Sequence, residues 1–520
     1  MGLLHRLDDF RIVSAGPSFA GSPQDNGQSA GLCTGSSASP APNFEGNVMT
    51  TLARVCVNVP ELATKQLRFR YVGHRRILTI SSNLLELFGF TKGDAVVETS
   101  RGAGKGMVIE RVHDLFNQVR VKRVYARTYR SRRNNPLEHQ VEVSSQRLLD
   151  ASFPEGCTRV HVRFEPGRIV VTPLQTVSER ALANAEIASP GATFAALTSG
   201  VDLASLRAED FTISAILEWR PQEARDKANL TETGALAALA NSGPVRALFN
   251  EDVTCAVLAE IEAAMVRHPI MLFHASPQCD DHSTLKAKAL KERDHADGTS
   301  TEDMIIDLLN IIERLAPPVV LFENVPGMLN SAAYQVASLR LCRWGYRRFE
   351  HVGDARDYGG LTSRRRAYVV FSQLDAPFAF EEPFSPRQKN AWSVVANDLD
   401  QCRDVSHSKS LQDGKACGRL RRITPASTSI PTPVKSQAHM AKDSIVIEPQ
   451  DGVFLWPTED QLKRFLGIED VDLEAVSSTL ASEIIGQSID RPHHASILRS
   501  LKAHIGQHRA DLMLGVAQAA

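Results

Sequence analysis

Long apolar runs, paired cysteines and an excess of one charge are all missing from this chain of 520 residues. No apolar run reaches the roughly 20 residues of a membrane span, and the N-terminus lacks the pattern of a secretion signal. The eight cysteines include no CxxC pair, which argues against a zinc site or a disulfide framework. These absences predict a cytoplasmic protein that binds no membrane and holds no metal.

The formal net charge of -1 gives no global attraction to nucleic acid, although a DNA-binding protein needs to be basic only locally. Residues 14–48 are rich in Gly, Ser, Pro and Ala and cannot offset the entropy of ordering by burial. We therefore predict a disordered segment over residues 1–48, with regular structure beginning at Met49. The length predicts roughly two to four domains.

An internal repeat indicates a β-rich domain over residues 49–174. Both copies, within residues 66–174, show the pattern of strand, short helix, glycine turn and two strands. The matched residues share one offset: Ser81 with Ser144, Ser82 with Ser145, Phe90 with Phe153, and Gly93 with Gly156. The copies resemble the swapped-hairpin β-domains of AbrB-like regulators, and the resemblance implies that the domain could mediate dimerisation.

A basic stretch without a single acidic residue lies between the two copies. Its cations alternate with Tyr125 and Tyr129, a pattern that suits phosphate binding with release of counterions. A solvated strand edge, where basic residues discourage aggregation, is the alternative interpretation. The cations are Arg120, Lys122, Arg123, Arg127, Arg130, Arg132 and Arg133.

After a short helical linker over residues 175–191, apolar strands alternate with amphipathic helices. The runs at 211–217, 269–275, 319–325 and 367–372 suit strands buried on both faces. This alternation predicts a doubly wound α/β sheet with ligands beyond the carboxyl ends of its strands. We divide this part into a catalytic core (192–372), a small target-recognition region (373–441), a C-terminal part of the same domain (442–508) and a tail (509–520).

Three segments of the α/β part carry groups suited to chemistry on a pyrimidine ring. Cys279 lies in a polar loop after a buried strand, and Glu323 ends the next strand in the run ENVPG. The third segment, residues 357–370, contains the triplet Arg364-Arg365-Arg366 before another apolar strand. A thiolate can add to cytosine C6 and make C5 electron-rich, and an acid can stabilise the charge that develops at N3.

These segments resemble, in the same order, the SPPCQxFS loop, the ENV motif and the QxRxR motif of C5-cytosine-specific DNA methyltransferases. The resemblance implies that Cys279 attacks C6, Glu323 holds N3, and Asn324 orients the loop that bears Cys279. It further implies that Arg366 contacts the O2 side of a flipped cytosine and that Arg364 meets backbone phosphate. Thr362 stands where the family has Gln. We also expect a lowered pKa for Cys279, with Arg366 and His282 as sources of positive potential.

The same resemblance implies an S-adenosylmethionine site at the first strands of the sheet. Residues 192–203, with Phe194, Thr198 and Gly200, align with the family's FAGxGG loop, but Ala196, Thr198 and Ser199 replace glycines that would allow positive φ. The implied contacts are Glu218 with the ribose hydroxyls, Trp219 with the adenine ring, and Asp252 with the adenine amino group. Gln487 and Ser488 belong to a segment that resembles the family's GNxV motif, which packs beside this loop.

The resemblance thus implies transfer of a methyl group from S-adenosylmethionine to C5 of cytosine in double-stranded DNA through a Cys279–C6 adduct. Two alternatives stay open. The altered cofactor loop favours a DNA-binding regulator with a degenerate methyltransferase domain, and an RNA cytosine methyltransferase is possible on the same fold. Whether such an enzyme serves restriction-modification, protection or regulation is not encoded in these motifs.

Overall fold

The structure is a computed structural model, and it describes residues 49–52, 55–112, 121–131, 137–220, 232–284, 286–384 and 390–519. The predicted disordered segment 1–48 lies outside the described residues. The N-terminal elements are β1 (Met49–Leu52), β2 (Val55–Asn58), β3 (Ala63–Arg68), β4 (Arg70–Val72), β5 (Arg75–Ser81), α1 (Leu84–Leu87), β6 (Ala95–Ser100), β7 (Met107–Val112), β8 (Lys122–Arg123), β9 (Tyr125–Thr128), β10 (Leu137–Val143), α2 (Gln146–Ser152), β11 (Arg159–Glu165) and β12 (Arg168–Pro173).

The two repeat copies form one β-domain by pairing with each other. Its sheets have the strand orders β4-β5-β10-β9 and β3-β11-β12-β7-β6-β8. In the β5–β10 pair, Leu78 lies opposite Val143 and Ile80 opposite Val141. The repeat matches Leu78 with Val141 and Ile80 with Val143, so exchanging the two copies turns one pair into the other. An approximate two-fold axis therefore relates the copies. Contacts that could join two chains are thus made within one chain, and the structure does not support the predicted dimerisation.

The β-domain has a hydrophobic core of its own, drawn from both copies. Phe88 and Phe90 of the first copy and Phe153 and Phe164 of the second are among its buried side chains. Gly106 has a φ of 83° and packs so closely on the backbone at Val171 that a Cβ would not fit. This shared core explains why the repeat folds as a unit.

The α/β domain begins with a helix that is part of its packing. Its elements are α3 (Val177–Ile187), β13 (Ala192–Ala196), α4 (Val201–Ala208), β14 (Thr212–Leu217), α5 (Thr233–Ser242), β15 (Ala247–Phe249), α6 (Leu258–Met265), β16 (Leu272–Ala275), α7 (Lys288–Ala296), α8 (Met304–Leu315), β17 (Val319–Asn324), α9 (Ala332–Arg343), β18 (Arg347–Asp354) and β19 (Arg365–Ser372). Val177 and Ala181 of α3 are buried in the main core cluster, so the predicted linker is attached to the domain.

The central sheet has the order β15-β14-β13-β16-β17-β19-β18. Its neighbouring strands pair in parallel except at β19, which is antiparallel to both β17 and β18. The order reverses at β13, so the carboxyl ends of β13 and β16 flank the crevice in which such sheets bind ligands. The predicted doubly wound methyltransferase fold with a β-rich N-terminal region is confirmed.

The chain after β19 builds a small sheet and a helical cover. The elements are β20 (Arg403–Asp404), α10 (Lys409–Ala416), β21 (Arg421–Ile423), β22 (Ile445–Ile447), β23 (Leu455–Trp456), α11 (Glu459–Leu466), α12 (Ser478–Gln487) and α13 (Arg491–Ala519). The small sheet, β20-β23-β22-β21, crosses the boundary predicted at residue 441. Helix α13 runs through the segment predicted as a tail from 509, and the side chain of Thr458 caps α11. No described helix has the length and apolarity to cross a membrane.

Candidate active site

The loop that carries Cys279 leaves the carboxyl end of β16 and is held by neighbouring backbone and side-chain groups. Asn324 Nδ2 donates to the carbonyl oxygen of Pro277 at 2.8 Å. The backbone N–H groups of His282 and Ser283 donate to the carbonyl oxygen of Cys279 at 3.1 and 2.9 Å. The loop is therefore fixed on both sides of the thiol, and Asn324 makes the contact that its predicted orienting role requires.

Glu323 and Arg366 lie side by side on adjacent strands. Arg366 Nε is 2.7 Å from Glu323 Oε1, and each side chain is 9% exposed. Although these two atoms are close, they form an ion pair without hydrogen-bond geometry. Glu323 Oε1 is buried and has no hydrogen-bond partner among the described residues. An unsatisfied carboxyl oxygen in a buried site is costly. The Glu323 carboxyl is thus held beside Arg366 with one oxygen that accepts no hydrogen bond from the described residues.

Burial sets the protonation of the two reacting groups. It raises the pKa of the Cys279 thiol, and the charge of Arg366 only partly opposes this rise. It also raises the pKa of Glu323, again against Arg366. The expectation of a lowered pKa for Cys279 is wrong for this conformation. Burial also lowers the pKa of His282, so this imidazole is neutral and supplies no positive charge.

Arg364 is buried where the resemblance implied a phosphate contact. Its Nη1 donates to the carbonyl oxygens of Pro433 at 3.0 Å and Gly486 at 3.3 Å. In this conformation the guanidinium joins the recognition segment to the end of α12, and only 2% of the residue is exposed. Its Nη1 and Nη2 donors face backbone carbonyls, while its buried Nε has no hydrogen-bond partner among the described residues, so the phosphate contact stays a prediction.

Thr362, at the position of the family's Gln, takes part in another buried contact. Its hydroxyl donates to Asp490 Oδ2 at 2.8 Å. Burial raises the pKa of Asp490 to about 7. Thr362 therefore anchors the start of α13 to the strand that carries Arg366.

A pocket of about 490 Å³ opens beside Cys279, within the range of about 300–1,000 Å³ that is typical of small-molecule sites. Its walls come from the Cys279 loop, from β19 and the residues just before it, from the segment before β22, and from the end of α12. The residues that line this pocket include Cys279, Arg364, Arg366, Lys435, His439 and Gln487. The pocket is thus large enough for a single base and lies directly at the thiol.

The cofactor loop keeps a tight turn without the family's glycines. Leu197 has a φ of 59° and Ser199 a φ of 50°, while Gly200 at 87° begins α4. A left-handed conformation costs a residue with a Cβ roughly 1–2 kcal/mol. Ser199 was identified from the sequence as a replaced glycine, but Leu197 was not. Ala196 lies in β13 without positive φ, so a glycine is not required there.

Glu218 stabilises this strained turn. Its Oε2 accepts hydrogen bonds from the backbone N–H groups of Thr198 at 2.8 Å and Ser199 at 2.9 Å. Burial nevertheless raises the pKa of Glu218 to about 7, against these two N–H groups. Gly234 of α5 packs on the same side chain. The carboxyl group lies at the end of β14, beside the loop, as predicted.

The other predicted cofactor residues differ in how they are placed. Trp219 follows Glu218 and is 39% exposed, so its ring face is available. Asp252, shortly after β15, caps a 3-10 turn by accepting from the N–H and hydroxyl of Thr254 at 3.0 and 2.9 Å. Phe194 is fully buried between Phe249 and Phe273, so only its backbone could approach a ligand.

Gln487 and Ser488 end α12 on the side of the catalytic pocket. Gln487 lines the pocket next to Cys279. The hydroxyl of Ser488 donates to the carbonyl oxygen of Ile485 at 2.8 Å, which closes the last turn of the helix. The side chain of Ser488 is therefore used within the fold, and its role toward a cofactor stays a prediction.

The residues present fit an S-adenosylmethionine site in position, with two departures in detail. Glu218, Trp219 and Asp252 follow the carboxyl ends of β14 and β15, next to the loop after β13, where nucleotide ligands bind in such sheets. The buried hydroxyl of Thr198 has no hydrogen-bond partner among the described residues. The departures are the Cβ atoms at Leu197 and Ser199 and the burial of Glu218.

Two polar side chains next to the site were missed by the sequence reasoning. Asp202 in α4 and His274 in β16 are buried and lie 2.9 Å apart. The only signal was a carboxylate within the apolar run VDLASL and a histidine within the strand run LFHA. Neither could be placed without the tertiary structure, because 72 residues separate them.

Comparison with known proteins points to one family. Residues 259–446 match the model of the C-5 cytosine-specific DNA methylase family. A comparison of the sequence with curated proteins gave no match.

Among solved structures, the chain is similar to the Dnmt2 methyltransferase of S. pombe, with 16% identity, a TM-score of 0.45 and coverage of 60% of this chain and 97% of that one. It is also similar to the methyltransferase EhMeth of Entamoeba histolytica, with 14% identity, a TM-score of 0.45 and coverage of 60% and 97%. A third similar structure is a putative prophage-encoded DNA modification methyltransferase of E. coli, with 16% identity, a TM-score of 0.39 and coverage of 60% and 99%.

Proposed function

Because residues 259–446 match the model of the C-5 cytosine-specific DNA methylase family, we propose that this chain methylates C5 of cytosine in double-stranded DNA. The observation that carries the proposal is that Cys279 and Arg366 line one pocket and that Glu323 lies 2.7 Å from Arg366. S-adenosylmethionine, held by Glu218, Trp219 and Asp252, supplies the methyl group. The chain's own residues hold and activate the base.

The pocket geometry supports a distinct role for each residue. Cys279 adds to C6 as a thiolate, while Glu323, whose raised pKa favours the protonated form, donates to N3. Arg366, fixed against Glu323, presents its remaining guanidinium donors to the O2 side of the base. After methyl transfer, a water molecule takes the C5 proton, the C6–S bond breaks to release the Cys279 thiolate, and N3 returns its proton to the Glu323 carboxylate. The base must leave the duplex to reach this buried thiol.

Activation of the thiol depends on the substrate complex. Burial keeps Cys279 protonated in this conformation, and the groups that favour its thiolate are Arg366 and Arg364. Lys435 and His439 line the opposite wall. The anionic DNA backbone brings no positive charge, so Arg366 and Arg364 are the protein groups that favour the thiolate. The proposal therefore requires both guanidinium groups near the thiol.

Covalent trapping tests the proposal directly. Full-length protein is incubated with radiolabelled S-adenosylmethionine and duplex DNA, tRNA or unstructured RNA of mixed sequence. We expect label in DNA, and a stable protein–DNA adduct through Cys279 when cytosine is replaced by 5-fluorocytosine, because fluorine blocks the final elimination. Label in RNA alone would support the RNA methyltransferase. DNA binding without label in any acceptor would support the regulator with a degenerate catalytic domain.

We further propose that the β-domain contacts nucleic acid, since a specific surface favours it. Burial raises the pKa of Tyr125, and the nearby charges of Glu142, Arg70 and Arg127 also act on it, so these side chains share one face. The Arg127 guanidinium lies 5.1 Å from the Tyr129 ring centroid. Arg70 lies in β4 of the first copy, and Arg127 lies in β9, within the basic stretch between the copies. The cationic face is therefore wider than the stripe identified in the sequence.

Two residues of the basic stretch have partners within the β-domain. Lys122 pairs with Glu98 at 2.9 Å, and Arg123 donates to the carbonyl oxygen of Gly93 at 2.8 Å. Arg120, Arg132 and Arg133 lie outside the described residues. Arg130 is exposed.

Salt dependence distinguishes a DNA-binding face from a solvated strand edge. Residues 49–174 alone should bind duplex DNA with a steep salt dependence, and replacing Arg130, Arg132 and Arg133 with Ala should lower the slope by up to about three. Arg163→Ala, at an exposed site on the other sheet, serves as the control. Absence of binding at low salt would support the solvated edge.

A further inference from the structure

Asp202 connects the cofactor loop to the body of the domain. It lies in the first turn of α4, two residues after Gly200, and is only 2% exposed. Gly200 packs on the backbone of Ala237, where a Cβ would not fit. The loop at 197–200 leads directly into α4 through this tightly packed glycine, so a shift of the loop displaces Asp202.

The carboxylate of Asp202 holds the beginning of the Cys279 loop. Its Oδ2 accepts from the hydroxyl of Ser276 at 2.5 Å and faces His274 Nε2 at 2.9 Å. The backbone N–H of Ser276 also donates to the carbonyl oxygen of Ala196, at 3.2 Å. Ser276 precedes Cys279 by three residues. Both contacts connect the nucleophile's loop to elements that flank the cofactor loop.

The opposite side of the loop is held from the strand that carries Glu323. Asn324 Nδ2 donates to Pro277, the residue after Ser276, while Asn324 Oδ1 accepts from the backbone N–H of Val325 at 2.8 Å. Two consecutive residues of the Cys279 loop are thus held by two different elements. Movement of either element would displace the thiol.

The Asp202 contact is costly to maintain. Among the described residues its only ion-pair partner is His274, at 2.9 Å, and no Lys or Arg pairs with it. Taking a carboxylate out of water costs several kcal/mol, and a packed apolar pair is often at least as stable. Stability alone therefore does not account for this charge. A need for a directed hydrogen bond at Ser276 does.

We propose that Asp202 is a positioning residue that transmits occupancy of the cofactor loop to the placement of Cys279. When a ligand shifts the loop at 197–200, α4 and the Asp202 carboxylate move with it, and Ser276 carries the change to the thiol. This inference rests on the proposed cofactor site. It adds a coupling between cofactor binding and nucleophile placement.

Site-resolved alkylation tests the coupling without requiring turnover. Full-length protein is treated with iodoacetamide, with and without S-adenosylhomocysteine, and modification of each cysteine is followed by mass spectrometry. The exposed Cys342 and Cys417 serve as internal references. The cofactor product should change the rate at Cys279 in the wild type by about tenfold, the scale of a small displacement at a reacting group. Asp202→Asn should remove this change.

Matched variants separate positioning from folding. Asp210→Asn makes the same substitution at an exposed residue shortly after α4, with a φ of 64° that Asn accepts, and should keep the cofactor effect. Ser276→Ala removes the hydroxyl that donates to Asp202 and leaves the Asp202–His274 pair in place. It should therefore also abolish the effect of the cofactor product on Cys279. It provides the test if Asp202→Asn fails to fold.

The outcomes distinguish this inference from the proposed function. If wild-type protein binds S-adenosylhomocysteine by calorimetry and both Asp202→Asn and Ser276→Ala keep the cofactor effect, the inference is overturned. Asp202, His274 and His494 also lie close enough to share a metal ion. One equivalent of zinc in the purified protein would overturn it too, since the carboxylate would then be a ligand. Failure of wild-type protein to form the 5-fluorocytosine adduct, with the alkylation effect intact, would reject DNA methylation alone.

Discussion

The nucleophile loop and the cofactor loop both follow the carboxyl end of a parallel strand, yet they achieve their shape in different ways. The loop with Cys279 is held by side chains from α4 and β17 and contains no residue with positive φ. In the cofactor loop, Leu197 and Ser199 adopt the left-handed conformation, and Glu218 accepts hydrogen bonds from two backbone N–H groups of the loop. The catalytic half thus resembles the C-5 cytosine-specific DNA methylase family in residues, and the cofactor half only in position.

This difference indicates where the chain could have lost function. A thiol and a guanidinium in one pocket, with an acid paired to the guanidinium, have few purely structural uses. A strained turn with a carboxylate against its N–H groups is stable without a ligand, because the carboxylate already accepts those donors. Changes at the catalytic side should therefore abolish turnover, while changes at the cofactor side should alter affinity in measurable steps.

The largest effect is expected at the nucleophile. Cys279→Ser should lower methyl transfer by at least about a thousandfold, because a hydroxyl is far less nucleophilic than a thiolate. DNA binding, measured by fluorescence anisotropy, should stay close to that of the wild type. Cys342→Ser, at an exposed site on α9, is the control. Residual activity near the wild-type rate would remove Cys279 from the mechanism.

A smaller loss is expected on the cofactor side. Glu218→Ala should weaken S-adenosylmethionine binding by about 1–3 kcal/mol, the scale of losing charged hydrogen bonds at a buried site. Calorimetry measures the affinity, and thermal melting without ligand reports how far the loop loses its anchor. Glu209→Ala, after the end of α4, is the matched control. An unchanged affinity would show that Glu218 serves the turn alone.

Cofactor affinity should also depend on pH. The pKa of Glu218 is raised to about 7, so its contribution to folding is complete below its ordinary value of 4.5 and is lost as the pH rises through 7. Ribose hydroxyls require the ionised form as acceptor, so binding should tighten by about tenfold from pH 6 to pH 8. Calorimetry in buffers of different ionisation enthalpy should detect proton release. Glu218→Gln should show neither effect.

The smallest effect is expected from relieving strain in the turn. Ser199→Gly should raise the free energy of unfolding by about 1 kcal/mol, because glycine adopts positive φ without a Cβ penalty. It should also tighten S-adenosylmethionine binding. Ala196→Gly should instead destabilise, since Ala196 is a fully buried strand residue without positive φ. Equal responses of the two variants in urea unfolding would contradict this distinction.

Much of the fold and half of the site could be predicted from local patterns. Strand and helix alternation identified the sheet, and the repeat indicated the β-domain, because burial periodicity and turn residues are local properties. The motif order identified Cys279, Glu323 and Arg366. The pairing of the two repeat copies within one chain could not be predicted, since the same pattern also fits pairing between two chains.

The sequence by itself determined which elements form and which reactive groups end them. The tertiary structure decided the environment of those groups. It desolvated the Cys279 thiol and raised its pKa. It placed the Arg364 guanidinium against two backbone carbonyls and brought Asp202 to Ser276, which is 74 residues away in the sequence. Desolvation and hydrogen-bond partners depend on which distant segments meet. Local motifs therefore specify neither the desolvation of these groups nor their hydrogen-bond partners until the sheet has formed.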